Sequence, residues 1–266
     1  MKVLDWSAFT EGGLWGGGTP GRTALTVGVF DGIHRGHQAL ISRIVAWKPE
    51  LLPTVVSFRQ NPKDLLRRKN GRRDILSQHR KQAILEKFGV EALVLIDFSE
   101  NFSKLSGKQF FDLLLWGGNP GFLVIGSDFR CGYQMDTGAA GIGSMAALAG
   151  VPTEVVVRIG ESGFEGHPIS SSLIRNVIAG GGLERAAAML GRNVELDLEG
   201  LEWEDRGAGR FYRAGFLALP PPGRYSALVF GNGGSTVDAE VIVEDGGVLL
   251  PHHIDVDRVE FISFGS

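Results

Sequence analysis

The sequence predicts an α/β fold: a Rossmann-like, doubly wound parallel sheet followed by a smaller antiparallel β-barrel-like domain. Three observations predict it. Between residues 23 and 190, short apolar runs rich in β-formers alternate with segments of helical periodicity. The runs are apolar throughout rather than alternating, as strands buried on both faces must be. From about residue 193 the text changes to short alternating runs separated by turn residues, the mark of an antiparallel sheet or barrel.

The elements follow in order. Residues 1–21 hold GGLWGGGTPG and no clear period, and are expected to form a flexible N-terminal lead-in. The first strand is TALTVGVF (23–30), ended by Asp31-Gly32, and the apolar spacing of GHQALISRIVAW (36–47) predicts a helix. LPTVVSF (52–58), ALVLIDF (92–98), GFLVIG (121–126) and PTEVVVRI (152–159) are further strands. Helices are expected at 77–89, near 107–116, and in the Ala-rich stretch before 152. Right-handed crossovers turn such a series into one parallel sheet. ISSSLIRNVIAGGG reads as a serine-capped helix stopped by glycines, and LERAAAMLGR as a second helix ended at Gly191. This gives a main domain over 22–192 and a small β domain over 193–266.

Composition bounds the function. The chain has 266 residues and one cysteine, Cys131, which excludes an internal disulfide and a multi-cysteine zinc site. No apolar run reaches the ~18 residues of a membrane span, and the opening residues lack the apolar stretch of a signal peptide. A cytoplasmic protein with no membrane partner is the expectation. The formal charge of −3 hides an asymmetry: residues 193–266 carry 5 Lys/Arg against 13 Asp/Glu, while 1–192 carry 22 against 17. The first part is therefore more hospitable to anions. The basic run Arg67–Arg73 contains no interleaved aromatic residue, so it reads as a solvated loop and predicts no nucleic-acid partner.

Chemistry concentrates in Gly28-Val29-Phe30-Asp31-Gly32-Ile33-His34-Arg35-Gly36-His37. This stretch joins the first strand to the first helix, at the sheet edge where ligands bind. Free N–H groups and the dipole of a helix start favour phosphate, and Gly28, Gly32 and Gly36 let backbone approach a ligand. His34 and His37, three apart, share one face of the first turn and offer N–H donors to a phosphoryl group. Two such histidines also suit a surface or a metal pair. A metal would need a third ligand, and none is obvious by spacing; the flanking glycines at a strand–helix junction favour phosphate. Ser170, Ser171 and Ser172 with Arg175 one turn along form a second anion cradle, or equally an ordinary capped helix. Asp128, after the fourth strand in Gly126-Ser127-Asp128-Phe129-Arg130-Cys131-Gly132, either recognises nucleotide hydroxyl or amino groups or caps a turn.

Taken together, GxFDGxHxGH, then GxDFRxG, then ISSSxIR followed by Leu190-Gly191-Arg192 resemble the adenylyltransferase module of prokaryotic FAD synthetases, usually bifunctional riboflavin kinase/FMN adenylyltransferases. The resemblance covers about 22–192. It implies a nucleotidyltransferase-type sheet and transfer of AMP from ATP to FMN, giving FAD and pyrophosphate. It implies that His34 and His37 hold ATP phosphates and that Arg175 and Ser170–Ser172 hold the leaving pyrophosphate. Gly28, Phe30, Asp31 and Gly36 would line the nucleotide pocket, with Phe58, Asn61 and Asp128 at the flavin or nucleotide side. Mg²⁺ is expected on phosphate oxygens rather than on protein ligands.

Two departures qualify the match. Where the family carries Thr-Phe-x-Pro-His-Pro, this chain has Ser57-Phe58-Arg59-Gln60-Asn61-Pro62. Alternatives are thus an H-x-G-H nucleotidyltransferase with another acceptor, or a flavin- or nucleotide-binding regulatory protein without turnover. In the second domain Gly215-Phe216-Leu217-Ala218-Leu219-Pro220 replaces the kinase element Gly-Phe-Pro-Thr-Ala-Asn. Leucine and alanine side chains cannot ligate Mg²⁺, so a degenerate barrel without riboflavin kinase activity is expected.

Overall fold

A computed structural model describes residues 1–15, 21–60, 73–160, 168–231, 234–252 and 256–261. They divide into two compact units. The described residues of Met1–Phe30, Gly36–Asn70 and Gln82–Gly160 form the first, and those of Asp31–Arg35, Gly71–Lys81 and Glu161–Ser266 the second. The chain thus passes between units inside the Gly28–His37 stretch. The helices expected to close the 22–192 module group with the antiparallel sheet, so this division does not coincide with a boundary at 192.

The first unit is built on β1 (Lys2–Asp5), α1 (Trp6–Gly12), β2 (Thr23–Val27), α2 (Arg35–Val45) from Gly36 on, β3 (Leu52–Phe58), α3 (Gln78–Lys87) from Gln82 on, β4 (Ala92–Ile96), α4 (Glu100–Ser103), α5 (Gly107–Gly118), β5 (Pro120–Gly126), the short pair β6 (Arg130–Cys131) and β7 (Thr137–Gly138), α6 (Ala139–Leu148) and β8 (Thr153–Val156). Among the described residues its main sheet runs β1-β4-β3-β2-β5-β8, with every neighbouring pair parallel. β2 and β4 are buried at all five positions, which is why they read as unbroken apolar runs. The chain moves outward from β2 through β3 to β4, then returns to β5 on the other side of β2. The strand order therefore reverses between β2 and β5, and in such sheets ligands bind beyond the carboxyl ends of the strands at that reversal. The carboxyl end of β2 leads into Gly28, and that of β5 into Asp128.

One expectation is corrected. Residues 2–12 are not an unstructured lead-in: β1 pairs in parallel with β4 from Lys2–Ala92 to Asp5–Leu95. α1 then lays Phe9 into the core, where Trp6 stacks on Phe9 at 5.4 Å and on Phe110 at 5.8 Å. Four residues reading KVLD have no period of their own; the strand exists because β4 offers an edge. Gly117 accepts the Phe9 ring, since a Cβ there would lie 2.5 Å from it.

The second unit contains α7 (Ser171–Ala179), α8 (Leu183–Leu190) and strands β9 (Val194–Asp197), β10 (Trp203–Asp205), β11 (Arg210–Arg213), β12 (Gly223–Phe230), β13 (Thr236–Glu244), β14 (Gly247–Leu250) and β15 (Arg258–Phe261). The strands form one antiparallel sheet in the order β10-β11-β14-β13-β12-β15-β9. Burial alternates along β12 and β13, as a sheet with one covered face requires. The expected parallel sheet and second antiparallel sheet are both present. No helix among the described residues is long and apolar enough to cross a membrane.

Candidate functional site

In the first unit the motif begins at the end of β2. Gly28 N–H donates to Val56 O at 3.0 Å, continuing the pairing with β3. The Ser57 hydroxyl donates to Val29 O at 3.0 Å. Phe30 is fully buried at φ +52°, an unusual conformation for an aromatic residue. Its ring lies beside Gly28, where a Cβ would approach to 3.1 Å, and meets the His37 ring at 5.0 Å. Gly36 and His37 occupy the first turn of α2. Phe58, half-buried at the end of β3, packs against Phe98 and Phe102. Asp128 is exposed and accepts from Arg158 Nη2 at 2.8 Å. Asn61 lies outside the described residues.

The second unit receives the middle of the motif. Asp31 and His34 are 3% and 6% exposed. The Asp31 carboxylate forms a buried ion pair with Arg175 Nη1 and accepts from Ile75 N–H at 2.9 Å. Its backbone carbonyl accepts from the Ser171 hydroxyl at 2.8 Å. Ser170 caps α7 by accepting from Leu173 N–H at 3.2 Å, and Ser172 Oγ lies 3.3 Å from Arg175 Nη2. Asp31 therefore meets Arg175 and Ser171 rather than presenting a free carboxylate. Burial pushes its carboxyl above the usual range, against the pull of Arg175, the Ile75 N–H and Lys81. Lys81, itself buried beside Asp31 and Asp74, is held below its ordinary value by the same loss of solvent. Gly32, at φ +81°, is wedged so that a Cβ would meet Ile75 at 2.9 Å.

Sequence reasoning missed two supports of this loop. Arg192 after the end of α8 donates to Gly32 O at 2.7 Å, and Lys81 is buried beside the Asp31 and Asp74 carboxylates. Arg192 stood in the recognised Leu190-Gly191-Arg192 element, but its partner lies 160 residues away; an isolated lysine at 81 carries no signal at all.

The donors present are imidazole, hydroxyl, guanidinium and backbone N–H, all suited to phosphate oxygens. A direct Mg²⁺ ligand is a poorer fit, because the nearest carboxylate of this loop is engaged by Arg175. Among the described residues, His79, Asp197 and Glu199 form a group of metal-ligand type. It is satisfied internally: Asp197 accepts from the Ser77 hydroxyl and from Glu199 N–H, and His79 Nδ1 lies 3.0 Å from Glu199.

Residues 18–173, more than half of the chain, match the family model described as FAD synthetase. This chain belongs to the FAD synthetase family. Curated proteins called bifunctional riboflavin kinase/FMN adenylyltransferase are similar to it. That of Bacillus subtilis is 31% identical over 179 residues, covering 64% of this chain and 54% of that protein. That of Escherichia coli K12 is 30% identical over 171 residues, covering 63% and 53%. That of Buchnera aphidicola from Schizaphis graminum is 28% identical over 177 residues, covering 64% and 55%. This FAD synthetase family member thus spans about half the length of the curated relatives it matches. A solved structure titled as a macrolide-efflux protein from Streptococcus pneumoniae superposes with a TM-score of 0.80 at 23% identity, covering 100% of this chain and 94% of that one. That likeness shows the fold alone.

Proposed function

We propose that the chain is an FMN adenylyltransferase, transferring AMP from ATP to FMN and releasing pyrophosphate, without riboflavin kinase activity. The observation that carries this reading is the Gly28–His37 motif itself, set at the carboxyl end of β2 in a chain of the FAD synthetase family. A phosphate oxygen of FMN attacks the α-phosphorus of ATP, the bond to the β-phosphate oxygen breaks, and pyrophosphate leaves. The attacking oxygen is already anionic, so the step needs no strong general base. Alignment and neutralisation of charge on the five-coordinate phosphorus supply the rate.

In this reading His34 and His37 donate to ATP phosphates, His37 chiefly as charge grows in the transition state. Arg175 and the serines at the start of α7 hold the leaving pyrophosphate. Gly28, Phe30 and Gly36 shape the nucleotide pocket, while Phe58, Asn61 and Asp128 serve the flavin or nucleotide side. Asp31 acts by holding Arg175. Mg²⁺, where bound with the nucleotide, would supply further neutralisation of phosphate charge. A cytoplasmic location fits these substrates.

The lack of kinase chemistry is supported by the Gly215–Pro220 segment. Leu217, Ala218 and Leu219 are buried apolar residues, and backbone bonds tie the segment to Asp74. The test is to incubate protein, Mg²⁺, ATP and FMN and separate the flavins. FAD and pyrophosphate are expected; no FAD across pH and metal overturns the reading. Tight FMN binding without pyrophosphate release would instead mark a regulatory binder, and release with other acceptors a different transferase. ATP-dependent conversion of riboflavin to FMN, abolished by changes within 193–266, would overturn the missing kinase.

A further inference from the structure

The loop before His34 is held in a conformation that polypeptide seldom adopts. Phe30, Gly32 and Ile33 have φ of +52°, +81° and +40°, and a β-branched residue at positive φ is a true outlier. Such backbone persists only where its surroundings over-determine it. Within the second unit those surroundings are countable. Asp31 is held through its carboxylate by Arg175 and Ile75 and through its carbonyl by Ser171. The next two carbonyls are held by one side chain: Arg192 Nη2 donates to Gly32 O at 2.7 Å and Nη1 to Ile33 O at 3.4 Å. Nη1 also reaches Leu190 O at 3.5 Å.

Arg192 is itself aimed. Its Nε donates to Glu195 Oε1 at 2.7 Å, and the Glu195 side chain is only 3% exposed. The other carboxylate oxygen of Glu195 accepts from Arg80 Nε at 3.0 Å, with Arg258 Nε at 3.6 Å. Glu195 lies on β9, paired with Glu260 of β15. A planar guanidinium fixed by a carboxylate on one edge can hold two adjacent carbonyls with the other; a lysine offers a single point charge and no fork.

The geometry points to Arg192 as a positioning residue for His34, with Glu195 fixing its orientation from the first strand of the antiparallel sheet. The antiparallel sheet thereby serves the transferase loop: it supplies the carboxylate that aims the arginine. This inference rests on the proposed adenylyl transfer for its kinetic consequence, though not for its structural one. Misplacing a phosphate donor by about 1 Å costs on the order of 10²-fold in rate.

The experiment compares Arg192→Gln, Arg192→Lys and Glu195→Gln with wild type in FAD formation and in amide hydrogen exchange. Arg224→Gln, in an exposed pair with Glu240, serves as the control. Arg192→Gln is expected to lower kcat by about 10²-fold with the KM for ATP within about threefold. Arg192→Lys should recover part of kcat, Glu195→Gln should show a smaller loss, and Arg224→Gln none. Exchange of the Gly32–His34 amides should quicken in Arg192→Gln while the β12–β13 ladder keeps its protection. An unchanged kcat, or faster exchange spread equally over the sheet, overturns the inference. Should Arg192→Gln not fold, Arg192→Lys and Glu195→Gln decide by the same two readouts. If wild type makes no FAD, the proposed function falls, and faster local exchange still upholds the anchoring while unchanged exchange defeats it.

Discussion

Two loops of the second unit, 31–34 and 215–219, bury their residues in opposite ways. The first buries polar side chains: Asp31 and His34 are 3% and 6% exposed, and the backbone between them is strained. The second buries hydrocarbon: Leu217, Ala218 and Leu219 are 8%, 9% and 6% exposed. Burying a polar group costs free energy unless every partner is supplied, whereas burying leucine is favourable by itself. The first loop meets that cost with an arginine, a lysine and backbone donors arranged around Asp31. The second loop, leucine and alanine over 217–219, needs no such partners to be buried.

Removing Asp31 tests this contrast hardest. Asp31→Ala removes the carboxylate that pairs with the buried Arg175 guanidinium, so a loss of about 3–5 kcal/mol is expected in chemical denaturation. FAD formation should fall together with stability, because Arg175 loses its aim. A loss under 1 kcal/mol would mean that the pair is not the support described. Next in size, His37→Ala should lower kcat by about 10²–10³-fold while changing ATP affinity little. An unaltered kcat removes His37 from the transition state.

Leu219→Ala should do the reverse in the other loop. It costs about 2–3 kcal/mol as a cavity, yet kcat and KM measured well below Tm should match wild type. A selective loss of FAD synthesis would show that the apolar loop serves the reaction after all.

How far this contrast was legible beforehand follows from where the signals lie. β3 begins and ends where its apolar run does, at Leu52 and Phe58, because a strand buried on both faces announces itself residue by residue. The motif was legible for the same local reason, since its glycines and histidines fall within ten residues. β1 was not, because its pairing with Ala92–Leu95 is a property of the edge it joins. Nor was the partner of Asp31: the resemblance implied a place in the nucleotide pocket, and the Arg175 it pairs with lies 144 residues away. The apolar 217–219 segment could be read as unfit for Mg²⁺ from side-chain chemistry alone, which needs no partner to judge.

Acid should separate the two loops more finely. Burial alone would raise the Glu195 carboxyl, but the charges and hydrogen bonds of Arg192 and Arg80 outweigh it and hold it below its ordinary value of 4.5. A group lowered in the folded state stabilises above its unfolded value, and that contribution is lost as pH falls through the folded one. The stability gap between wild type and Glu195→Gln should therefore be full at pH 7 and shrink below about pH 4.5. A gap independent of pH would show that Glu195 is held by shape and not by charge.

The smallest effect is expected at Cys131, the single cysteine of the chain. The residue is half-buried and packs against the core of the first unit. Burial, with Asp136 adding to it, pushes the thiol up to about 12. The thiolate is the nucleophile, so at pH 8 only about one part in ten thousand would be reactive. Cys131 should then resist alkylation in native protein and react at the ordinary rate once unfolded. Cys131→Ala should cost about 1 kcal/mol through lost packing and leave FAD formation unchanged. Fast native alkylation, or a selective fall in kcat in Cys131→Ala, would move this position from packing to chemistry.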